Sequence, residues 1–195
     1  MEHYFTNNEN LKSDFRSVKY VYKDTPFVFT SDLGVFSKDK IDYGSKSLLE
    51  KVLEIESTGK KILDVGCGYG FIGIVLSKIL DSTVDMVDVN KRALHLTQMN
   101  IKNMKVNAEC FLSDAYKSVT EKYDIIITNP PIRAGKDKVL EILLGAKEHL
   151  NIDGTLYYVI RKDQGAKSIT KVLSETYKIE LLEKNKGFYI YSAKL

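Results

Sequence analysis

From residue 60 onward the chain alternates short apolar runs with amphipathic stretches, and this alternation restricts the fold more than any other feature. Lys61-Ile62-Leu63-Asp64-Val65 reads as a strand running into glycines, and residues 71–80 as a helix with Ile72, Val75, Leu76 and Ile79 on one face. Val84 to Val89 is a second strand, and Asn90 is a good N-cap for a helix to Asn103. Val106 to Leu112 is a third strand and Asp124 to Thr128 a fourth. A helix over Val139 to Leu150, a fifth strand over Gly154 to Arg161 and a helix around residues 164–175 follow. Lys178 to Leu182, a turn at Lys184-Asn185-Lys186-Gly187, and Phe188 to Ala193 close the chain as a hairpin. The expected architecture is an α/β, Rossmann-like, doubly wound and mostly parallel seven-stranded sheet with a C-terminal antiparallel hairpin. Ligands of such sheets bind outside the carboxyl ends of the strands, where the strand order switches.

Upstream, residues 15–30 read as two short strands broken at Asp24-Thr25-Pro26. A helix then opens at Gly44-Ser45, with Leu48, Leu49, Val52 and Leu53 at helical spacing. The expected organisation is a small β/helix extension, residues 1–58, packed on a ligand-binding domain, residues 59–195.

The remaining classes are narrowed by what is missing. No apolar run approaches the roughly 20 residues that span a bilayer, and Met1 to Asn8 has neither a basic n-region nor an apolar h-region. A cytoplasmic protein with no membrane partner is therefore expected. Cys67 and Cys110 stand in no C-x-x-C spacing, and His3, His95 and His149 form no ligand cluster, so neither a disulfide nor a metal site is expected. The net charge of +3 permits an anionic partner such as nucleic acid without demanding one. Lys12, Arg16, Lys19 and Lys23 bunch near the start, and Arg133, Lys136 and Lys138 follow the fourth strand.

Four strand ends carry the chemistry. The first reads Asp64-Val65-Gly66-Cys67-Gly68-Tyr69-Gly70. Spaced glycines let backbone approach a ligand, and Gly68, Gly70 and Gly73 even fit the dinucleotide pattern. A carboxylate at Asp64 would repel a pyrophosphate, and suits a cationic ligand such as S-adenosylmethionine, which carries a sulfonium and an ammonium but no phosphate. The second end presents Asp88 and Val89 about 20 residues beyond the glycines, where a carboxylate accepts from ribose hydroxyls; because Asn90 caps the helix, Asp88 is expected to be free for the ligand. The third presents Asp114 to an adenine amino group, with Ala115 beside the ring.

The fourth end is Asn129-Pro130-Pro131. Prolines fix φ and hold the preceding residue extended. The Asn129 side-chain oxygen and the Pro130 carbonyl would accept both N–H bonds of one planar NH₂ group, and so aim its delocalised lone pair at an electrophile. Each of these ends also has a purely structural reading, as a glycine turn, a loop Asp or a strand-breaking proline pair.

Together these residues resemble the class I S-adenosylmethionine-dependent methyltransferases. Gly34-Val35-Phe36-Ser37 and Ile41-Asp42-Tyr43-Gly44-Ser45, ahead of the glycine motif, are similar to a segment of bacterial small-subunit rRNA guanine-N2 methyltransferases. The resemblance covers residues 25–195. It implies S-adenosylmethionine as methyl donor held by Asp64, Gly66, Cys67, Gly68, Gly70, Asp88, Val89, Asp114, Ala115 and Asn129. It implies catalysis by Asn129, Pro130 and Pro131, and a substrate wall that includes Phe36, Asp42, Gly44, Ile132 and Arg133. The partner would be RNA, in rRNA or a ribosomal subunit. Those enzymes often carry a second, degenerate copy of the domain, for which these 195 residues leave no room. They also often have an aromatic where this chain has Ile132; Phe36, Tyr43 or Phe29 would have to stack on a flipped base instead. The same Asn-Pro-Pro serves adenine-N6 and protein-glutamine methyltransferases, and a nucleotide-binding oxidoreductase is the rival from another class.

Overall fold

The structure is a computed structural model and describes residues 12–195, so His3 lies outside the described residues. Strands β1 (Arg16–Tyr22) and β2 (Thr25–Ser31) form an antiparallel hairpin turning at Lys23-Asp24. Alternation sets its faces. Val18 pairs with Phe29 and Tyr20 with Phe27, all buried, while Lys19, Val21 and Val28 point outward. Helix α1 (Tyr43–Ile55) starts where the Asp42 side chain accepts from the Ser45 N–H at 2.8 Å.

The main body alternates as expected: β3 (Lys61–Val65), α2 (Phe71–Ile79), β4 (Thr83–Asp88), α3 (Lys91–Met104), β5 (Ala108–Leu112), β6 (Tyr123–Thr128), α4 (Lys136–Gly145), β7 (Leu150–Arg161), α5 (Ala166–Leu173), β8 (Lys178–Asn185) and β9 (Phe188–Lys194). Asn90 caps α3, accepting from the N–H groups of Arg92 and Ala93. The seven strands lie in the order β5-β4-β3-β6-β7-β9-β8. The first five are mutually parallel and β9 runs antiparallel to both neighbours. The chain works outward from β3 to β5, then returns to place β6 against the other side of β3. The switch point therefore falls between β3 and β6. There Thr128 Oγ1 donates to the Val65 carbonyl at 2.8 Å, tying the two carboxyl ends together.

Two apolar cores cover the two faces of the sheet. One runs from the β1–β2 hairpin through α1, α2 and α3 to Ile62, Met86, Ile125 and Val159. The other packs α4 and α5 against Leu63, Ile126, Tyr158 and Ile160. Burial of each such side chain contributes roughly 1.5–3 kcal/mol. Asn100, fully buried, holds the hairpin over the glycine turn: it accepts from Thr30 N–H at 2.8 Å and donates to Tyr69 O at 2.9 Å.

Several expected boundaries move; β8 runs to Asn185 rather than Leu182, so that only Lys186-Gly187 of the expected turn remains outside the strands. The helix expected to reach Leu150 ends at Gly145, followed by a 3-10 turn over Ala146–Glu148, and β7 begins at Leu150 rather than Gly154. Glycine is a poor helix former, and the next backbone groups find partners across the sheet, with Tyr123 N–H donating to His149 O at 2.8 Å. Among the described residues no helix is long and apolar enough to cross a membrane.

Candidate active site

The carboxyl ends of β3, β4, β6 and β7, the loop after β5 and the start of β9 surround one pocket of about 700 Å³. That volume suits a nucleoside-sized ligand together with part of a second molecule. Its walls divide into a carboxylate-rich side and a side built around Asn129.

On the first side the glycine turn leaves β3. Gly66 and Gly68 have left-handed φ of 78° and 59°, and a Cβ on either would meet no protein atom within 4 Å. Side chains there would occupy the pocket itself. Cys67 is buried on the same wall, with Sγ 3.9 Å from Thr97 Oγ1. Gly70, expected on this wall, is not part of it. It caps α2 with a φ of 89° and packs back toward Ile74 and Thr97, so its role is to turn the chain.

Two carboxylates lie behind the turn. Asp64, 2% exposed, accepts from the Gly73 N–H at 2.9 Å. Burial pushes its carboxyl up to about 7, against the pull of the Gly73 N–H, and the Asp88 charge adds to the rise. Burial also raises Asp88, against the N–H groups it accepts from. Asp88 was expected to be free and is not: Oδ2 accepts from Gly68 N–H and Oδ1 from Asn90 N–H, both at 2.9 Å. It orders the glycine turn and the start of α3, and has only its remaining lone pairs for a ligand. Among the described residues no Lys or Arg pairs with Asp64 or Asp88, so this wall fits a positively charged ligand without phosphate.

Val89, Asp114 and Ala115 continue the wall. Asp114 is ion-paired to Lys117 at 2.5 Å and to Lys138, which hold its carboxyl below the usual range. Phe36 closes the pocket from a loop fastened to α3, where Arg92 bonds Asp32 at 2.9 Å and Asn90 Nδ2 donates to Gly34 O at 3.0 Å.

The second side is organised by Asn129. Its Nδ2 donates to Ser45 Oγ at 2.8 Å and to Asp42 Oδ2 at 3.1 Å. Both amide protons are thus occupied, and Oδ1, which accepts nothing from the described residues, is the atom left for a ligand. Asp42, expected as a substrate contact, borders the pocket while capping α1 and anchoring Asn129. Gly44 lies behind the wall: a Cβ there would stand 2.7 Å from Phe188 Cε1. Ile132 opens a 3-10 turn over Ile132–Ala134, borders the pocket, and packs half-buried against the second core; Arg133 is exposed at the mouth. Of the aromatics expected to replace the missing one, Phe29 is fully buried among Phe27, Tyr69 and Phe71, and Tyr43 leans on Phe188 behind the wall.

Sequence reasoning missed Ser45, Arg161, Gln164 and Phe188 on this side. Arg161 ends β7, a fifth carboxyl strand end beside the four considered, and Phe188 is its register partner on β9. Ser45 was visible as the third residue after a capping Asp. Among the described residues no group of three His, Cys, Asp or Glu is placed to hold a metal ion.

Residues 26–192 match the family model of the methyltransferase small domain. The uncharacterized protein YbxB of Bacillus subtilis (strain 168) is 42% identical, over 99% of this chain and 98% of its own length. Ribosomal RNA small subunit methyltransferase C of Serratia proteamaculans (strain 568) is 34% identical over 82% of this chain, and this chain spans 46% of that protein. Among solved structures, the T. thermophilus 16S rRNA N2 G1207 methyltransferase (RsmC), in complex with AdoMet and guanosine, superposes with a TM-score of 0.85 at 24% identity, over 94% of this chain and 51% of that one. The chain thus spans about half the length of the rRNA methyltransferase C relatives it matches. With its glycine turn, buried carboxylates and anchored Asn129 at one switch point, the chain belongs to the methyltransferase small domain family and to the class I S-adenosylmethionine-dependent methyltransferases.

Proposed function

We propose that this protein methylates an exocyclic amino nitrogen of a base in RNA, guanine N2 of small-subunit rRNA, with S-adenosylmethionine as donor. The observation that carries the reading is the anchoring of Asn129 by Ser45 and Asp42, which turns an ambiguous amide into a fixed acceptor facing the pocket. The relatives named as rRNA methyltransferases support the choice of RNA.

When bound, S-adenosylmethionine supplies an electrophilic methyl group on a sulfonium. Asp64 and Asp88 favour its positive charge and ribose hydroxyls, Gly66 and Gly68 admit it to the backbone, and Asp114 and Ala115 border the adenine. Asn129 Oδ1 and the Pro130 carbonyl take the two N–H bonds of the acceptor amine and aim its lone pair inward, while Pro131 stiffens the chain beyond. The nitrogen would take the methyl as its bond to sulfur breaks, leaving S-adenosylhomocysteine, and would release one proton to solvent. No strong base is needed, because that proton departs after the bond has formed. The chain's contribution is orientation and exclusion of water, which together are worth several powers of ten in rate. Arg133, exposed at the mouth, meets RNA phosphate. This reading places the protein in the cytoplasm, with the ribosome.

The test offers labelled S-adenosylmethionine with rRNA, small ribosomal subunits, DNA and a release factor in separate reactions. Expected is transfer to rRNA or the subunit, with N2-methylguanosine as product. Asn129→Ala should keep S-adenosylhomocysteine binding and lose most transfer. Label in adenine N6 or in protein glutamine, or a fully active Asn129→Ala, overturns the reading.

A further inference from the structure

The aromatic absent after Asn129-Pro130-Pro131 has a counterpart elsewhere on the same wall. Four aromatic side chains border the pocket: Phe36, Tyr69, Phe71 and Phe188. Tyr69 and Phe71 are 4% and 5% exposed and belong to the ring cluster around Phe29, so their faces are occupied. Phe36 stands on the carboxylate side, over the loop fastened to α3.

Phe188 stands on the acceptor side. Its ring edge lies against Gly44, at a point where an added Cβ would be 2.7 Å from Phe188 Cε1 and 3.2 Å from Asp42 Oδ2. That carboxylate oxygen accepts from Asn129 at 3.1 Å. Ring, carboxylate and Asn129 are therefore consecutive neighbours, and the absence of a side chain at Gly44 lets the ring in. Phe188 is also held in place. It leans on Tyr43 with ring centroids 5.6 Å apart, it pairs in register with Arg161, and the turn before it is closed by Lys162 N–H donating to Gly187 O at 2.8 Å. The Arg161 guanidinium lies over the ring, 5.5 Å from its centroid, with one N–H to Asp163 at 3.1 Å, and Arg161 borders the same pocket.

We infer that Phe188 is the platform on which the target base stacks, and that Arg161 beside it selects guanine. The inference rests on the RNA reading above and names how that substrate is held. An aromatic face binds any base, whereas a guanidinium offers paired donors that match the O6 and N7 acceptors of guanine and oppose the amino group of adenine. Phe188 on the hairpin thereby does what an aromatic at position 132 would have done.

The chain contains no tryptophan, so Phe188→Trp places a single reporter at the site. Expected is saturable quenching of its emission by GMP, with AMP binding about ten-fold more weakly and Arg161→Gln erasing that preference. In methyl transfer to rRNA, Phe188→Leu should lower kcat/KM about ten-fold or more, mainly through KM, with Phe188→Tyr within about two-fold of wild type and S-adenosylhomocysteine affinity unchanged in both. Absent quenching, or a Phe188→Leu enzyme with wild-type kcat/KM, overturns the inference while leaving the RNA reading intact. Quenching by GMP in a protein whose wild type methylates no RNA upholds the platform and removes the substrate reading instead. Should Phe188→Trp fail to bind S-adenosylhomocysteine, the Leu and Tyr pair decides.

Discussion

Asn129 and Ser45, 84 residues apart in sequence, meet through a 2.8 Å hydrogen bond from Nδ2 to Oγ. The bond joins the end of β6 to the first turn of α1, so the strand end that carries Asn129 is braced from a helix outside the glycine motif.

Ser45→Ala tests that brace. One neutral hydrogen bond of about 1 kcal/mol is lost, Asp42 continues to hold the other amide proton, and Oδ1 gains freedom to rotate. Expected is a fall in kcat of roughly five- to ten-fold, an unchanged affinity for S-adenosylhomocysteine, and a urea midpoint lowered by no more than the equivalent of about 1 kcal/mol. A loss of cofactor affinity equal to the loss of kcat would place Ser45 in the donor pocket instead.

Asp64 predicts a pH dependence with a definite sign. Its carboxyl is raised to about 7 in the folded chain by burial, against about 3.9 in an unfolded one. Between those values the folded state binds the extra proton, so stability relative to acid is lost as pH rises from about 4 through about 7, on the order of a few kcal/mol. Asp64→Asn should flatten that slope and leave the ligand-free protein more stable than wild type at pH 8, as read by urea unfolding across pH. Binding of the cationic S-adenosylmethionine should release protons near pH 7, measured by calorimetry in buffers of different ionisation enthalpy. Wild-type proton release in Asp64→Asn would exclude this carboxyl as the source.

Gly73 sits inside α2 with no room for a side chain: a Cβ there would stand 2.5 Å from Met86 Sδ and 3.2 Å from Asp64 Oδ2. Met86 is fully buried in β4, so it has nowhere to go. Gly73→Ala should cost about 1–3 kcal/mol by overpacking, despite the better helix propensity of alanine. Gly73→Ala combined with Met86→Val should recover most of it, by thermal or urea unfolding. Failure of the second substitution to rescue would locate the cost in Asp64.

The strand–helix alternation was legible because each element contributes its own periodicity, and so were the hairpin of β1 and β2, the cap at Asn90 and the helix opening near Gly44-Ser45, though its cap is Asp42. Asp64 and Asn129 were legible because the chain switches from apolar strand to special backbone right beside them. Asp88 could be placed on the pocket wall but not described, since its bonds to Gly68 and Asn90 depend on how the glycine turn folds back over β4. Arg161 and Phe188 were harder. Their meeting depends on β9 pairing with β7 rather than β8 alone, a relation between strands that neither carries in its own pattern. Gly70 differs in the other direction: the motif puts it on the wall, and the structure sets it behind the wall as the turn into α2.

The β7–β9 register has one more consequence. The carboxylate-rich side of the pocket comes from the chain up to the loop after β5, whereas Arg161, Gln164 and Phe188 come from the last segment, on the side of the edge hairpin. On the reading proposed above, the last segment would add only the outer part of the acceptor side, while Asn129 and Pro130 remain its inner part. Exchanging the hairpin around Lys186-Gly187 would therefore alter the outer wall of the pocket while leaving the glycine turn and Asn129 in place.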